Sequence, residues 1–142
     1  MLSLPSFVRA ALDRVGEPAA IMIGAHESDS CLSAFDQGFV PALFAEAERR
    51  RLLDESAGLP RELHHGRARR TFGLLEEAPF DRSGRVRLAG WMRRRAGIAG
   101  KALLVGTGPT FEIWDPDLAL RSGDPALGEL AGWHLADTID TE

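Results

Sequence analysis

The chain has 142 residues, 44 % of them apolar, which is enough for one sizeable core, and no apolar run approaches the length of a bilayer span. Its formal net charge of −4 argues against an anionic partner only as a total, because Arg61–Lys101 carries 11 Lys or Arg against 4 Asp or Glu while the rest carries 6 against 17. A basic middle between acidic flanks fits a local anion-binding face, and it fits equally a basic helix neutralised by those flanks.

Leu2 to Pro5 reads as the end of a short strand, and Ser6 as the cap of a helix with Phe7, Val8, Ala11 and Leu12 on one face. Gly16 and Pro18 stop it. Residues 19–24 are expected as a buried strand, and a polar loop from His26 leads to a second strand over 31–35. A helix then starts near Asp36 or Gln37, with Phe39, Val40, Leu43, Phe44 and Ala47 as its apolar stripe. Gly58 and Pro60 separate it from another helix, about 60–70, whose cationic face carries Arg61, Arg67 and Arg70. Residues 72–78 are expected as a strand.

The next stretch is Asp81-Arg82-Ser83-Gly84-Arg85-Val86-Arg87-Leu88. Gly84 suits a tight turn, and the alternation beyond it sets Val86 and Leu88 on one face against Arg85 and Arg87 on the other. Guanidinium groups fixed on an exposed face grip phosphate or fork onto a base edge, although solvated arginines on a surface hairpin have the same spacing. A short helix around Trp91, Met92 and Ala96 closes at Gly97. Residues 101–106 and 111–114 form a hairpin about Thr107-Gly108-Pro109, Asp115 or Pro116 opens a short helix, and the acidic segment from Arg121 reads as loose or partly helical.

The order strand, helix, strand, turn, strand, helix occurs twice. Leu2-Ser3-Leu4 lies over Val86-Arg87-Leu88, Ile21-Met22-Ile23-Gly24 over Leu103-Leu104-Val105-Gly106, and Leu32-Ser33-Ala34-Phe35-Asp36 over Phe111-Glu112-Ile113-Trp114-Asp115. Each half has too few strands to stand in water alone, so the halves are expected to interleave about a pseudo-dyad.

The 81–85 turn, the aromatic-led Phe111–Asp115 segment, the Arg67–Phe72 connector and the repeat together resemble the MraZ family, a two-half relative of the AbrB/SpoVT swapped-hairpin DNA-binding proteins. The resemblance covers about residues 2–118 and is strongest over 81–115. It implies an α+β protein: a swapped-hairpin AbrB-like β-barrel built from two pseudo-repeats with flanking helices. The division that follows is a first half at 1–46, a helical connector at 47–73, a second half at 74–120 and an acidic tail at 121–142. The resemblance also implies a bacterial transcriptional regulator on direct repeats upstream of the division and cell-wall gene cluster, assembling into a ring. In that family each half begins with Asp-x-x-x-Arg on the DNA-facing surface. Here the repeat sets Met1 opposite Arg85, so the first half is expected to lack its first strand and motif, either because the true start lies further upstream or because half of the motif is lost, and Asp81–Arg85 is the intact copy.

On this reading Arg82, Arg85 and Arg87 are the DNA contacts, Arg85 reading a base edge and Arg87 positioning the backbone. Asp81 and Gly84 shape the turn, since a carboxylate repels phosphate. Arg93-Arg94-Arg95 reads as a solvated helix face. His64 and His65 are adjacent and cannot share one metal from a regular helix, His26 and His134 look isolated, and Cys31 has no second thiol, so no metal site or cofactor is expected. Gly106-Thr107-Gly108 lacks the Lys and Ser or Thr of a phosphate loop, and no serine sits in a nucleophile elbow, so no enzyme is expected. Phe7, Trp91, Phe111 and Trp114 are expected in the core or a subunit interface. The expected partners are double-stranded DNA and further copies of the chain, with no membrane and no small-molecule substrate. The absence of a secretion signal and of a cysteine pair predicts a cytoplasmic protein, and the resemblance implies association with the nucleoid. Two alternatives are an AbrB-like antitoxin and an assembly protein with weakened DNA binding.

Overall fold

The computed structural model describes residues 2–3, 20–27, 29–79 and 85–140. The helix expected at Ser6–Leu12 lies outside them, as do Asp81, Arg82 and Gly84. Among the described residues, seven strands and five α-helices follow in chain order: β1 (Leu2–Ser3), β2 (Ala20–Ala25), β3 (Leu32–Phe35), α1 (Val40–Ser56), α2 (Arg61–Ala68), β4 (Glu76–Pro79), β5 (Arg85–Val86), α3 (Gly90–Ala96), β6 (Leu103–Gly106), β7 (Phe111–Trp114), α4 (Pro116–Leu120) and α5 (Pro125–Asp140). The class is α+β: an antiparallel sheet in the order β4-β2-β3-β7-β6, a separate β1-β5 pair, and helices around them.

Period-two alternation gives the large sheet two faces, and each face has its own core. One face sends Ile21, Ile23, Leu32, Ala34, Phe111 and Ile113 against Val86 and Leu88 of the β5 segment and Met92 and Ala96 of α3. The other sends Leu103 and Trp114, beside Cys31, against Ala119 of α4 and Ala131 of α5. Burying side chains of this size contributes roughly 1.5–3 kcal/mol each, so the sheet holds its helices mainly by apolar area.

Two strand pairs share a symmetry. In β1–β5, Leu2 faces Val86, and in β3–β7, Leu32 faces Ile113 and Ala34 faces Phe111 about a central Ser33–Glu112 pair. With Leu2 matched to Val86 and Leu32 to Phe111, each pairing maps onto itself when the halves are exchanged. The β2–β6 match needs correction by one residue. Met22 faces Phe35 as Leu103 faces Trp114, so Met22 rather than Ile21 corresponds to Leu103. A slip of one moves every side chain to the opposite face, and Leu104, not Leu103, packs against the core that holds Ile21 and Ile23.

Other expectations also shift. Phe72 belongs to a π-helical turn, Arg69–Gly73, and the strand starts only at Glu76. Phe44, placed on the buried stripe of α1, is 57 % exposed and stacks on Phe72 with ring centroids 4.9 Å apart. Of the two readings of the segment from Arg121, the helical one holds: Asp124 caps α5, its carboxylate accepting from Leu127 N–H at 2.9 Å, and Ala131 is fully buried. No helix among the described residues is long and apolar enough to cross a membrane.

Candidate DNA interface

Strand β5 is anchored from below. Val86 and Leu88 are buried in the first core, and alternation leaves Arg87 exposed between them. Arg85 is held by its main chain against Ser3 of β1. The chain then enters α3, which packs through Met92 and Ala96 and sets Arg93, Arg94 and Arg95 in its last turn, where the helix dipole favours cations. Gly97 ends the helix at φ +67°, with Gly97 N–H donating to Arg94 O at 3.3 Å and Ile98 N–H to Arg93 O at 2.9 Å.

Competition from carboxylates sorts the arginines. On α1, Arg49 forks onto Glu46, Arg51 bridges Glu48 and Glu55, and Arg50 pairs with Glu27. Arg67 is not on a free cationic face as expected, because it donates to Asp54 at 2.7 Å and ties α2 to α1. Among the described residues, Arg87, Arg93, Arg94 and Arg95 have no carboxylate within ion-pair reach, although Arg87 and Arg93 line a groove that also includes Glu76 and Glu77. Glu77 accepts from Gln37 at 2.8 Å and Glu76 from the Trp91 indole at 3.0 Å, so neither carboxylate is idle.

A second cluster is assembled from residues distant in the sequence. His26 and Cys31 close the β2–β3 loop, His26 N–H donating to Cys31 O at 3.2 Å, and Glu112 on β7 points to the same sheet face. His26 Nε2 lies 2.9 Å from Glu112 Oε2, so His26 is not isolated. Burial, with Glu112 and Asp29 adding to it, pushes the Cys31 thiol up to about 12.

No family model matches the chain. Among curated proteins it is 31 % identical over 118 residues to the transcriptional regulator MraZ of Rhodospirillum rubrum, covering 81 % of this chain and 70 % of that protein. It is also 31 % identical over 114 residues to the transcriptional regulator MraZ of Ralstonia pickettii, covering 80 % and 72 %. A 44-residue stretch is 43 % identical to the transcriptional regulator MraZ of Parvibaculum lavamentivorans.

The chain belongs to the MraZ family.

For this MraZ-family chain, the sequence-derived contacts divide as follows. Arg87 is exposed beside Arg93 of α3, the main chain of Arg85 lies in β5, and Asp81, Arg82 and Gly84 fall outside the described residues. Trp91, Phe111 and Trp114 pack as expected, Trp91 at the edge of the first core. The His26–Cys31–Glu112 cluster lies on the opposite sheet face from that core, and no short-range motif marks it.

Proposed function

We propose that this chain is a sequence-specific, double-stranded DNA-binding transcriptional regulator, with the 81–87 segment as its contact surface. The observation that carries the reading is membership of a family whose curated relatives are named transcriptional regulators. An exposed Arg87 with no carboxylate in ion-pair reach among the described residues supports it. Arg85 forks onto guanine O6 and N7, Arg82 and Arg87 grip phosphate, and Asp81 and Gly84 shape the turn. The fold is a swapped-hairpin barrel of two pseudo-repeats, 1–46 and 74–120, joined by a helical connector at 47–73; the self-mapping registers at Leu2–Val86 and Ser33–Glu112 support that division.

One copy offers few arginines, so affinity comes from several copies in a ring engaging successive direct repeats upstream of the division and cell-wall genes. Such a protein works in the cytoplasm at the nucleoid. Fluorescence anisotropy on a duplex carrying direct repeats, set against one with scrambled repeats, tests this. Preference for the repeats, falling steeply as salt rises, is expected. Arg85→Ala should weaken binding and relax that preference, and equal binding to both duplexes at every salt concentration would overturn the reading.

A further inference from the structure

We propose that His26, Cys31 and Glu112 form a binding site for a divalent transition-metal ion of the zinc class. One ligand atom from each lies within 4.8 Å of the others, and Cys31 is 2 % exposed. The donor set is one imidazole nitrogen, one sulfur and one carboxylate oxygen. A thiolate disfavours magnesium and calcium and selects zinc or cobalt, and three protein ligands leave the fourth tetrahedral position for water.

The backbone builds the site. Ser33 faces Glu112, and extending the hairpin register from Ala25–Leu32 sets His26 opposite Cys31, so alternation turns all three side chains to one face. Metal bonds of about 2.0–2.3 Å require ligand atoms about 3.3–3.5 Å apart. The 2.9 Å contact between His26 and Glu112 therefore opens by only a few tenths of an ångström.

Outer contacts hold the ligands. The Trp114 indole donates to Glu112 Oε1 at 2.9 Å and leaves Oε2 turned to the histidine. Nδ1 of His26 accepts from Asp29 N–H at 3.0 Å, with Asp29 Oδ2 3.9 Å away. Ligation through Nε2 would put the ring proton on Nδ1, which ends the contact from Asp29 N–H, and the Asp29 carboxylate would close in from 3.9 Å as the new acceptor, giving a carboxylate–histidine–metal relay. The Cys31 thiol proton leaves to solvent as the metal–sulfur bond forms.

The pseudo-symmetry argues that the trio is not a requirement of the fold. Exchanging the halves by the observed registers sends His26 to Thr107, Cys31 to Thr110 and Glu112 to Ser33. These counterparts are hydroxyls, and Thr107 and Thr110 bond each other at 2.9 Å. A metal in the first site would clamp the β2–β3 loop of one half to β7 of the other. This inference stands apart from the DNA-binding reading and does not depend on it.

The test is titration of the chelator-treated, reduced full chain with cobalt(II). A thiolate-to-cobalt charge-transfer band and intense tetrahedral d–d bands are expected at one equivalent, displaced by zinc, with zinc raising the unfolding temperature. Cys31→Ser should abolish the charge-transfer band, His26→Gln and Glu112→Gln should each weaken binding by tenfold or more, and Asp29→Asn by roughly tenfold. His26→Gln and Glu112→Gln carry the test if Cys31→Ser fails to fold. Absence of the charge-transfer band, or equal cobalt affinity in His26→Gln, Glu112→Gln and the parent, would overturn the assignment.

Discussion

Ser33 and Glu112 face each other across β3 and β7 at the point where the register reads the same from either half. On one side Leu32 meets Ile113, and on the other Ala34 meets Phe111, all four in the first core. The seam between the halves is thus a dry, paired surface, and cutting back its largest aliphatic side chain removes packing from both. Ile113→Ala should destabilise the protein by about 3 kcal/mol, from lost burial plus the cavity left behind. Urea unfolding followed by circular dichroism measures it, and a loss below about 1 kcal/mol would place the stabilising packing elsewhere.

Gly97 holds φ +67°, and a Cβ added there would meet Leu118 Cδ1 at 2.9 Å. Gly97→Ala should cost about 1–2 kcal/mol for the left-handed conformation, plus a smaller amount for the clash. Adding Leu118→Ala relieves the clash but not the backbone cost, so a double-mutant cycle on thermal unfolding separates the two. Full recovery in the double variant would mean that the backbone carries no strain.

Asp54 and Arg67 are both more than four-fifths buried where α1 meets α2, and each is the other's charge partner. Asp54→Ala leaves a guanidinium with its donors unmet, at a cost of about 1–3 kcal/mol. Hydrogen exchange should quicken in α1 and α2 while the β2, β3 and β7 amides keep their protection. Uniform acceleration would show that the helix pair is not a separate opening unit.

Cys31 titrates at about 12 in the fold against 9.0 in its ordinary state, so folding favours the thiol. Between those two values the unfolded chain has released its proton and the native state has kept it, and stability falls as pH rises. Below about pH 9 the contribution is fully present. Cys31→Ala should flatten the decline in unfolding temperature over that alkaline window, and a parallel decline in both proteins would remove Cys31 as its source.

Arg87 sits on the exposed face of the β5 segment with no carboxylate in ion-pair reach among the described residues. On the proposed function, Arg87→Ala should weaken binding about equally to repeat-bearing and scrambled duplexes and reduce the salt slope by about one per copy. A selective loss on the repeat-bearing duplex would make Arg87 a reader of sequence instead of a phosphate contact.

The legible parts of the fold were those fixed by neighbours in sequence. Alternation in 111–114 and 32–35, Gly97 as a helix stop, and Asp115 as a cap accepting from Leu118 N–H at 3.1 Å all rest on contacts within a few residues. What escaped depended on distant partners. Helix α5 contains Gly128 and Gly132, and the burial of Ala131 beside α4 offsets that weak local preference. The one-residue slip in the repeat came from hairpin loops of unequal length, since six residues separate β2 from β3 and four separate β6 from β7. His26, Cys31 and Glu112 lie up to 86 positions apart and meet only through two strand registers. In the candidate interface, alternation foretold the buried Val86 and Leu88 and the exposed Arg87, whereas the capture of Arg67 by Asp54 depends on how α2 folds back on α1.

The arginines of α1 are already occupied by Glu27, Glu46, Glu48 and Glu55. A guanidinium with a protein carboxylate as its counterion displaces little salt when a phosphate approaches, so this helix adds little to the ionic-strength dependence of a complex. On the proposed function, the dependence then falls on the cations outside α1 that touch the duplex, those of the 82–95 segment among them, a fixed set in each chain. The log–log salt slope of a complex thereby becomes a copy counter. Divided by the slope of one engaged chain, it reports how many copies have docked on a given length of duplex.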